Sequence, residues 1–205
     1  MNEYIVLSWD YVDNLCRRVA FDILKDGYRP NSVVALAKGG LFVGNILSDY
    51  LGVGELCSID VSRDEKVIGR KRVLLVDDFI NTGRTMKKAL EMIQADEIRT
   101  ASLLMLEKSD FIPDYLGDYL SDYAWIIFPW NFVEDVSKLL IEILRDEEEV
   151  SQPKLKRMLA EKGLNPLNLE VTFPERFEEV LKVLELKEVA EKRVEEGRVY
   201  WRLRE

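Results

Sequence analysis

The sequence predicts an α/β fold with a mostly parallel, twisted sheet, helices on both faces and a small C-terminal α+β appendage. Two observations lead to this fold class. Short apolar runs at residues 32–37, 73–76 and 98–106 have the composition of strands buried on both faces of a sheet. Between them lie segments whose apolar residues recur at helical spacing, as crossover helices do. Alternation of the two patterns favours parallel pairing of the strands.

The first elements can be assigned in order from their termini and spacing. Residues 4–7 are a short apolar start, and Ser8 can cap a helix that ends near Gly27. Apolar side chains recur along one side of this helix at Trp9, Val12, Leu15, Val19 and Ile23. The next elements are a strand at 32–37, a helix at 41–51 stopped by Gly52, and a strand at 55–61.

The middle of the chain continues the alternation after a polar stretch. Residues 63–72 are polar and predicted to be mobile, although Arg63, Lys66, Arg70 and Lys71 could reach a diphosphate as a short lid. A strand at 73–76 comes next, followed by a helix whose apolar residues are Met86, Ala89, Leu90, Met92 and Ile93. A strand at 98–106 and a loop rich in Tyr, Asp and Gly follow. The last segments are an apolar run at 124–128 and a helix at 133–144.

The chain changes character after the acidic stretch at 146–149. We therefore predict a main domain at 1–149 and a C-terminal segment at 150–205. In that segment we expect helices at 153–163 and 174–184, then strands at 189–195 and 198–203 joined by a turn at Glu196-Gly197. This order resembles a winged-helix module in outline.

Composition excludes several classes of function. The chain has no histidine, so it holds neither a Ser–His or Cys–His nucleophile nor a His-ligated zinc. A net charge of −9 argues against general binding to nucleic acid or anionic membranes. Cys16 and Cys57 form no metal or disulfide pattern, and no apolar stretch could span a bilayer, so we expect a cytoplasmic protein. Abundant Lys and Glu with two glutamines hint at a thermophilic source.

Residues 73–86 carry the strongest functional signal. The apolar run at 73–76 leads into Asp77 and Asp78, and a Thr/Gly-rich turn at 81–85 opens the next helix. Ligands of open α/β sheets bind at the carboxyl ends of strands, and free N–H groups at a helix N-terminus suit a phosphate. The acid pair suits two sugar hydroxyls, a divalent metal, or both. Together these parts describe a site for a phosphorylated ribose.

The segment 77–85 resembles the phosphoribosyl-pyrophosphate (PRPP) loop of the type I phosphoribosyltransferases. The resemblance implies that fold for residues 4 to about 140. It implies that Asp77 and Asp78 hold the ribose 2′ and 3′ hydroxyls, with Mg²⁺ as cofactor. It also implies a 5′-phosphate site made by Asn81, Thr82, Gly83, Arg84 and Thr85.

A second glycine-containing turn comes one β-α unit earlier, at Ala37, Lys38, Gly39 and Gly40. Backbone N–H groups exposed beside glycine can cradle a diphosphate, and Lys38 adds positive charge. The turn resembles the pyrophosphate loop of the same family, many members of which have a non-proline cis peptide there. The resemblance makes Ala37-Lys38 the bond expected to be cis.

Two further segments resemble the xanthine–guanine branch of the family. Lys108 follows the strand at 98–106, where that branch has a lysine that donates a hydrogen bond to the purine 6-oxygen. The segment 124–130 resembles a Trp-Ile-x-x-Pro-Trp pattern of those enzymes, which implies that Trp125 and Ile126 line the purine pocket.

The sequence thus predicts a PRPP-dependent purine salvage transferase that acts on hypoxanthine, guanine or xanthine and releases pyrophosphate. Catalysis is expected from positioning and charge, with Asp77, Asp78 and Asn81 at the reacting centre. Asn81 stands where 6-oxopurine enzymes usually carry an aspartate, so purine preference and rate are open. We expect a homodimer or higher homo-oligomer.

Two alternatives remain at this level. The same fold could sense PRPP or a nucleotide in a transcription regulator, although residues 150–205 hold 12 Lys/Arg against 11 Asp/Glu, a poor phosphate-binding balance. The C-terminal segment could instead be an oligomerisation or covering element. Its apolar residues favour packing: Phe173, Phe177, Val180, Leu181, Leu184, Tyr200 and Trp201.

Overall fold

The computed structural model describes residues 4–63, 67–68, 71–165, 169 and 171–204. The chain divides into two compact units. The sheet unit comprises Trp9–Tyr123, and the terminal unit comprises Met1–Ser8 together with Ala124–Glu205. The predicted boundary after residue 149 does not coincide with this division, because the preceding helix shares a core with the C-terminal segment. The division into domains at 1–149 and 150–205, as units that fold or function independently, remains a prediction.

Helices and strands alternate through most of the chain. They run in the order β1 (Tyr4–Val6), α1 (Trp9–Asp26), β2 (Ser32–Leu36), α2 (Gly40–Leu51), β3 (Leu56–Ile59), β4 (Val67–Ile68), β5 (Arg72–Ile80), α3 (Arg84–Met92), β6 (Ile93–Gln94), β7 (Glu97–Leu106), β8 (Tyr115–Leu120), β9 (Trp125–Ile127), α4 (Phe132–Arg145), β10 (Val150–Ser151), α5 (Gln152–Glu161), α6 (Arg176–Leu186), β11 (Ala190–Glu195) and β12 (Arg198–Leu203).

The sheet unit is built on five parallel strands in the order β3-β2-β5-β7-β8. Gly44 of α2 lies against Val76 of β5, whereas Met86 of α3 shares a core with Leu75 of the same strand. Because successive side chains of a strand point to opposite faces, α2 and α3 cover opposite faces of the sheet. The predicted fold class is confirmed.

The strand order brings three loops together. β2, β5 and β7 are adjacent and parallel, so their carboxyl ends lie along the same edge of the sheet. The loops that follow them are the 37–39 turn, the 81–83 turn and the 107–114 segment. These are the segments in which the sequence places phosphate-, ribose- and base-binding residues, except for Trp125 and Ile126.

Two segments of the sheet unit differ from the prediction. The Tyr/Asp/Gly-rich segment expected to be a loop contains β8, which pairs with β7 at the edge of the sheet. Tyr115 and Gly117 are buried while Leu116 and Asp118 are half-buried, and Gly117 allows close approach to the Leu103 carbonyl. Within the polar stretch 63–72, β4 pairs with β6, while Lys66 and Arg70 lie outside the described residues.

The terminal unit begins with a parallel pair, β1 and β9, in which Ile5 is in register with Ile126. A three-stranded antiparallel sheet follows in the order β10-β12-β11. The chain order α4-β10-α5-α6-β11-β12 agrees with the winged-helix outline. The turn at Glu196 and Gly197 has positive φ at both residues, 48° and 74°, which suits a tight hairpin.

An apolar core holds the described part of the terminal unit together. It includes Phe132 and Leu140 of α4, Leu155 of α5, Phe177 of α6 and Trp201 of β12. The apolar residues expected to pack are buried, apart from Tyr200, which is half-buried. Among the described helices, we find none with the length and hydropathy that crossing a membrane requires.

Truncating Trp201 to alanine is expected to destabilise the protein by about 3–5 kcal/mol, because the cavity would lie in the core of the terminal unit. Trp201 is 4% exposed, and its indole N–H donates to Gln152 at 3.4 Å. Denaturant unfolding of the full chain measures the loss. Leu186→Ala is the control, since Leu186 is 70% exposed and its truncation should change stability by less than about 0.5 kcal/mol. If the two variants were equally stable, Trp201 could not be part of the core of the terminal unit.

Candidate active site

The acid pair lies within the carboxyl-terminal part of β5, which extends four residues past the predicted strand end. Residues 73–76 are fully buried, and Asp77 and Asp78 are half-buried. The Asp78 backbone N–H donates to Asp77 Oδ1 at 3.0 Å. The pKa of Asp77 is raised well above its usual range, first by burial and then by the neighbouring Asp78 charge. Two carboxylates in this environment form a concentrated negative site that favours a cation or hydroxyl donors.

The turn after β2 lies directly against the acid pair. A Cβ placed on Gly39 would fall 1.7 Å from Asp78 Oδ2, and one placed on Gly40 would fall 2.8 Å from the Val76 carbonyl oxygen. Gly40 therefore requires glycine because the backbone of β5 approaches it closely, whereas the atoms close to Gly39 belong to the end of the Asp78 side chain. The peptide bond between Ala37 and Lys38 is cis, as the resemblance implies. Ala37 and Lys38 are exposed at this edge of the sheet.

The turn after β5 leads into α3 through a left-handed glycine. Gly83 is buried with φ 80°, and its carbonyl accepts the Lys87 N–H in the first turn of the helix. The polar residues around it are exposed: Asn81, Thr82, Arg84 and Thr85. A helix N-terminus flanked by hydroxyl groups and an arginine is suited to a phosphate dianion.

Phe111 is a site residue that the sequence reasoning missed. A Cβ on Gly83 would fall 2.1 Å from Phe111 Cβ and 3.3 Å from its Cα, so Phe111 lies directly against the 81–83 turn. The 107–114 segment, which follows β7, thereby contacts the turn that follows β5. The only signal in the sequence is an apolar Phe111-Ile112-Pro113 run inside a polar segment.

The residues expected to contact a purine lie in different units. Lys108 is exposed just after β7 of the sheet unit. Trp125 and Ile126 belong to β9 of the terminal unit, where Trp125 is 43% exposed and Ile126 is 8% exposed. Their meeting with Lys108 in one pocket remains a prediction.

Within the terminal unit, Trp125 is held by α4. Its indole donates a hydrogen bond to the Asp135 carboxylate, and this bond lowers the Asp135 pKa. The net shift of the Asp135 pKa is nevertheless upward, because burial is its largest cause. The bond fixes the orientation of an exposed aromatic ring, which is what a stacking surface requires.

The donor set available for a metal is small. In the described part of the chain, no group of three or more His, Cys, Asp and Glu side chains is arranged to hold a metal ion. Mg²⁺ commonly binds proteins through one or two carboxylates and takes its other ligands from water and substrate phosphates. Asp77 and Asp78 fit that mode, since a cation would also relieve the repulsion that raises the Asp77 pKa.

Comparison with known proteins agrees with this geometry. The sequence profile described as "Phosphoribosyl transferase domain" matches residues 8–135. The xanthine-guanine phosphoribosyltransferase of Vibrio atlanticus (strain LGP32) is 27% identical over 154 residues, which cover 67% of this chain and 98% of that protein.

Two solved structures are similar to the chain. The purine phosphoribosyltransferase of Pyrococcus horikoshii Ot3 is 29% identical with a TM-score of 0.53, covering 62% of this chain and 93% of that one. The Helicobacter pylori xanthine-guanine-hypoxanthine phosphoribosyltransferase shares the fold at 18% identity, with a TM-score of 0.54 over 67% of this chain and 98% of that one.

The resemblance noted in the sequence is therefore confirmed. The acid pair at the end of β5, the glycine turn against it and the profile match over residues 8–135 lead to one assignment. This chain belongs to the phosphoribosyl transferase domain family.

Proposed function

We propose that this protein is a PRPP-dependent purine phosphoribosyltransferase that acts on a 6-oxopurine. The observation that carries the proposal is the contact between Gly39 and Asp78, which brings together the turn after β2 and the acid pair that leads into the turn after β5. A ligand that spans both loops needs a diphosphate next to a sugar diol, and PRPP has these groups on adjacent carbons. The similarity to purine phosphoribosyltransferases supports the same substrate class.

Each part of PRPP has a matching group at this edge of the sheet. The N–H groups at the start of α3, with Thr82 and Thr85, suit the 5′-phosphate. Asp77 and Asp78 suit the two ribose hydroxyls as acceptors, and the amides of the 38–40 turn suit the diphosphate. Mg²⁺, held by Asp77 or Asp78, would neutralise the charge of the departing diphosphate.

The reaction exchanges one bond at C1 of the ribose for another. A purine ring nitrogen forms a bond to C1 while the bond from C1 to the diphosphate oxygen breaks, and pyrophosphate leaves with that electron pair. Positive charge develops on the sugar ring in the transition state, where the neighbouring carboxylates stabilise it. Asn81 can donate or accept a hydrogen bond but does not take up the purine proton at neutral pH, so that proton passes to solvent.

Lys108 sets the proposed base preference. An ammonium group donates hydrogen bonds and accepts none, so it selects an oxygen over an amino group at the purine 6-position. Trp125 would stack on the base, with its indole oriented by Asp135, and Ile126 would add apolar contact.

Turnover assays with PRPP and Mg²⁺ test the proposal. Hypoxanthine, guanine and xanthine are expected to yield pyrophosphate and the nucleotide, and adenine is expected to be a poor substrate. Lys108→Ala should lower kcat/KM for the oxopurines by about 10- to 100-fold while PRPP binding persists, since one buried hydrogen bond to a charged group is lost. Lys25→Ala is the control, because Lys25 is an exposed residue in the last turn of α1. Activity on adenine alone would refute the role of Lys108, and failure to bind PRPP by calorimetry would refute the enzyme assignment.

The chain order of the terminal unit favours a second candidate, a nucleotide-sensing regulator that binds DNA. The charges of its surface argue against it. Arg193 pairs with Glu149 and Glu195, Arg202 pairs with Glu191, and Arg204 pairs with Glu188. Because these arginines are paired with carboxylates, little positive potential remains to attract the phosphates of DNA. A salt-dependent mobility shift of duplex DNA by the purified protein would favour the regulator, and no shift at low salt would exclude it.

A further inference from the structure

The 107–114 segment of the sheet unit is fixed at both ends to neighbouring strands. At its start, the Glu107 N–H donates to the Leu120 carbonyl of β8 at 2.9 Å. At its end, the Asp114 carboxylate accepts the backbone N–H and the hydroxyl of Thr100 in β7, both at 2.7 Å. Holding the residues between these anchors in one conformation costs backbone entropy, so contacts within the segment must offset that cost.

Phe111 supplies contacts in the middle of the segment. Its backbone N–H donates to the Ser109 hydroxyl at 3.2 Å. Its half-buried side chain packs against the apolar core that includes Ile80 and Met86. Both the backbone and the side chain of Phe111 also lie close to Gly83, which has no side chain to keep them away. Phe111 therefore contacts the core of the sheet unit and the turn that leads into α3.

Lys108 is connected to Phe111 through Ser109. The Ser109 N–H donates to the Leu106 carbonyl at 2.9 Å, which closes a turn with Glu107 and Lys108 at its middle positions. The hydroxyl of the same serine accepts the Phe111 N–H. Because Lys108 is exposed, its direction depends on this backbone turn rather than on packing of its side chain. A shift of Phe111 would thus be transmitted to the turn that carries Lys108.

We propose that Phe111 is a positioning residue that links recognition of the purine 6-position to the 5′-phosphate turn. Gly83 fixes Phe111, Phe111 fixes the turn at 106–109, and that turn directs Lys108. The inference rests on the proposed function, in which Lys108 faces the base and the N–H groups of α3 bind the phosphate. Phe111 acts through its neighbours and needs no contact with the ligand, so its loss should change base selectivity as well as affinity.

Two possible roles of Phe111 predict different results for two nucleotides. If Phe111 only supported the phosphate turn, its loss would weaken binding of inosine 5′-monophosphate and adenosine 5′-monophosphate equally, because their phosphates are identical. If Phe111 also positions Lys108, its loss would weaken mainly the inosine nucleotide, whose 6-oxygen accepts a hydrogen bond from an ammonium group. The ratio of the two dissociation constants therefore measures the positioning role.

Isothermal titration calorimetry of the full chain with these nucleotides tests the inference. We expect wild type to bind inosine 5′-monophosphate at least about 10-fold more tightly than adenosine 5′-monophosphate, since one hydrogen bond involves a charged group. Phe111→Ala should lower this ratio to about 3-fold or less, because misplacing the ammonium by about 1 Å removes most of that bond. Phe111→Leu keeps a large apolar side chain and should restore most of the ratio.

A double-mutant cycle shows whether Phe111 acts through Lys108. Lys108→Ala alone should abolish the preference for inosine 5′-monophosphate. Adding Phe111→Ala to Lys108→Ala should then cause no further change in the ratio, because the group that Phe111 positions is already absent. If Phe111→Ala changed the ratio equally in both backgrounds, the inference would be wrong.

Two single variants complete the test. Ser109→Ala removes the hydroxyl that accepts the Phe111 N–H and leaves the apolar core intact, so it tests the same connection even if Phe111→Ala does not fold. It should lower the ratio by about 3-fold. Ile112→Ala is the control, because Ile112 is the next residue and is 78% exposed. It should leave the ratio unchanged, and circular dichroism establishes that each variant is folded.

The outcomes separate this inference from the proposed function. If wild type prefers inosine 5′-monophosphate and folded Phe111→Ala and Ser109→Ala keep that preference, the inference is overturned and the proposed function stands. If wild type binds the two nucleotides equally, the role of Lys108 fails and the inference fails with it. If wild type binds neither nucleotide, the proposed function itself is refuted.

Discussion

Replacing Gly39 with alanine is expected to lower kcat/KM for PRPP by about 100-fold or more while leaving the melting temperature nearly unchanged. The new methyl group would fall 1.7 Å from Asp78 Oδ2 and 2.4 Å from its Cγ. The carboxylate must then swing away by more than 1 Å, and misplacement on that scale costs about 100-fold in rate. Stability changes little because a side-chain end gives way rather than backbone. Steady-state kinetics and thermal unfolding measure the two effects.

Gly54→Ala is the matched control for this substitution. Gly54 has a negative-φ or extended backbone, and a Cβ there would have open space around it. It should keep wild-type activity, so a loss confined to Gly39→Ala identifies the contact with Asp78 as the cause. Wild-type kinetics for Gly39→Ala would contradict the proposed diphosphate turn.

The second large effect is expected from Asp77→Asn, which should make the protein more stable and much less active. The side chains have the same shape, and the amide oxygen can still accept the Asp78 N–H. The change removes a half-buried charge that lies next to another carboxylate, which should stabilise the free protein by about 1–2 kcal/mol. Losing one charged group at the reacting centre should lower kcat by roughly 100- to 1,000-fold.

The stability gain should depend on pH in a defined direction. The pKa of Asp77 is raised in the folded state, so the folded protein holds this proton at pH values where the unfolded chain has lost it. The contribution of Asp77 to stability is therefore present below its ordinary pKa of about 4 and is lost as pH rises through the folded pKa. The difference in melting temperature between Asp77→Asn and wild type should accordingly widen as pH increases from 4 to 8.

Asp96→Asn serves as the control, because Asp96 is an exposed carboxylate between β6 and β7. It should change neither activity nor the melting temperature at pH 7. Other groups with lowered pKa values, such as Asp26 and Glu149, contribute equally to wild type and variant and cancel in the difference. An Asp77→Asn protein that is less stable than wild type at pH 7 would contradict the electrostatic account of the acid pair.

Much of the sheet unit could be predicted because its signals are local. A strand that is apolar throughout, such as residues 73–76, implies burial on both faces, and that burial implies helices on both sides. The glycines of the two turns marked Gly40, where backbone approaches closely, and Gly83, where φ is positive. The acid pair and the helix start at Arg84 are separated by a few residues, so their chemistry could be inferred from the order of residues alone.

Other features depend on pairing between distant segments. β8 was missed because its Tyr, Asp and Gly residues are typical of loops, and only hydrogen bonding to β7 makes the segment a strand. β9 could be recognised in the sequence as an apolar run, but nothing there indicated that it pairs with β1 near the start of the chain. Phe111 gained its position over Gly83 from the order of strands in the sheet.

The sequence by itself determined the family, the acid pair, the two glycine turns and the helical and strand periods, because each is encoded within a few consecutive residues. Only the tertiary structure decided that Gly39 lies against Asp78 and that Asp135 holds Trp125. The physical reason is that close approach between segments depends on strand order and helix packing. Both are set by burial of the whole chain rather than by the conformational preference of any one segment.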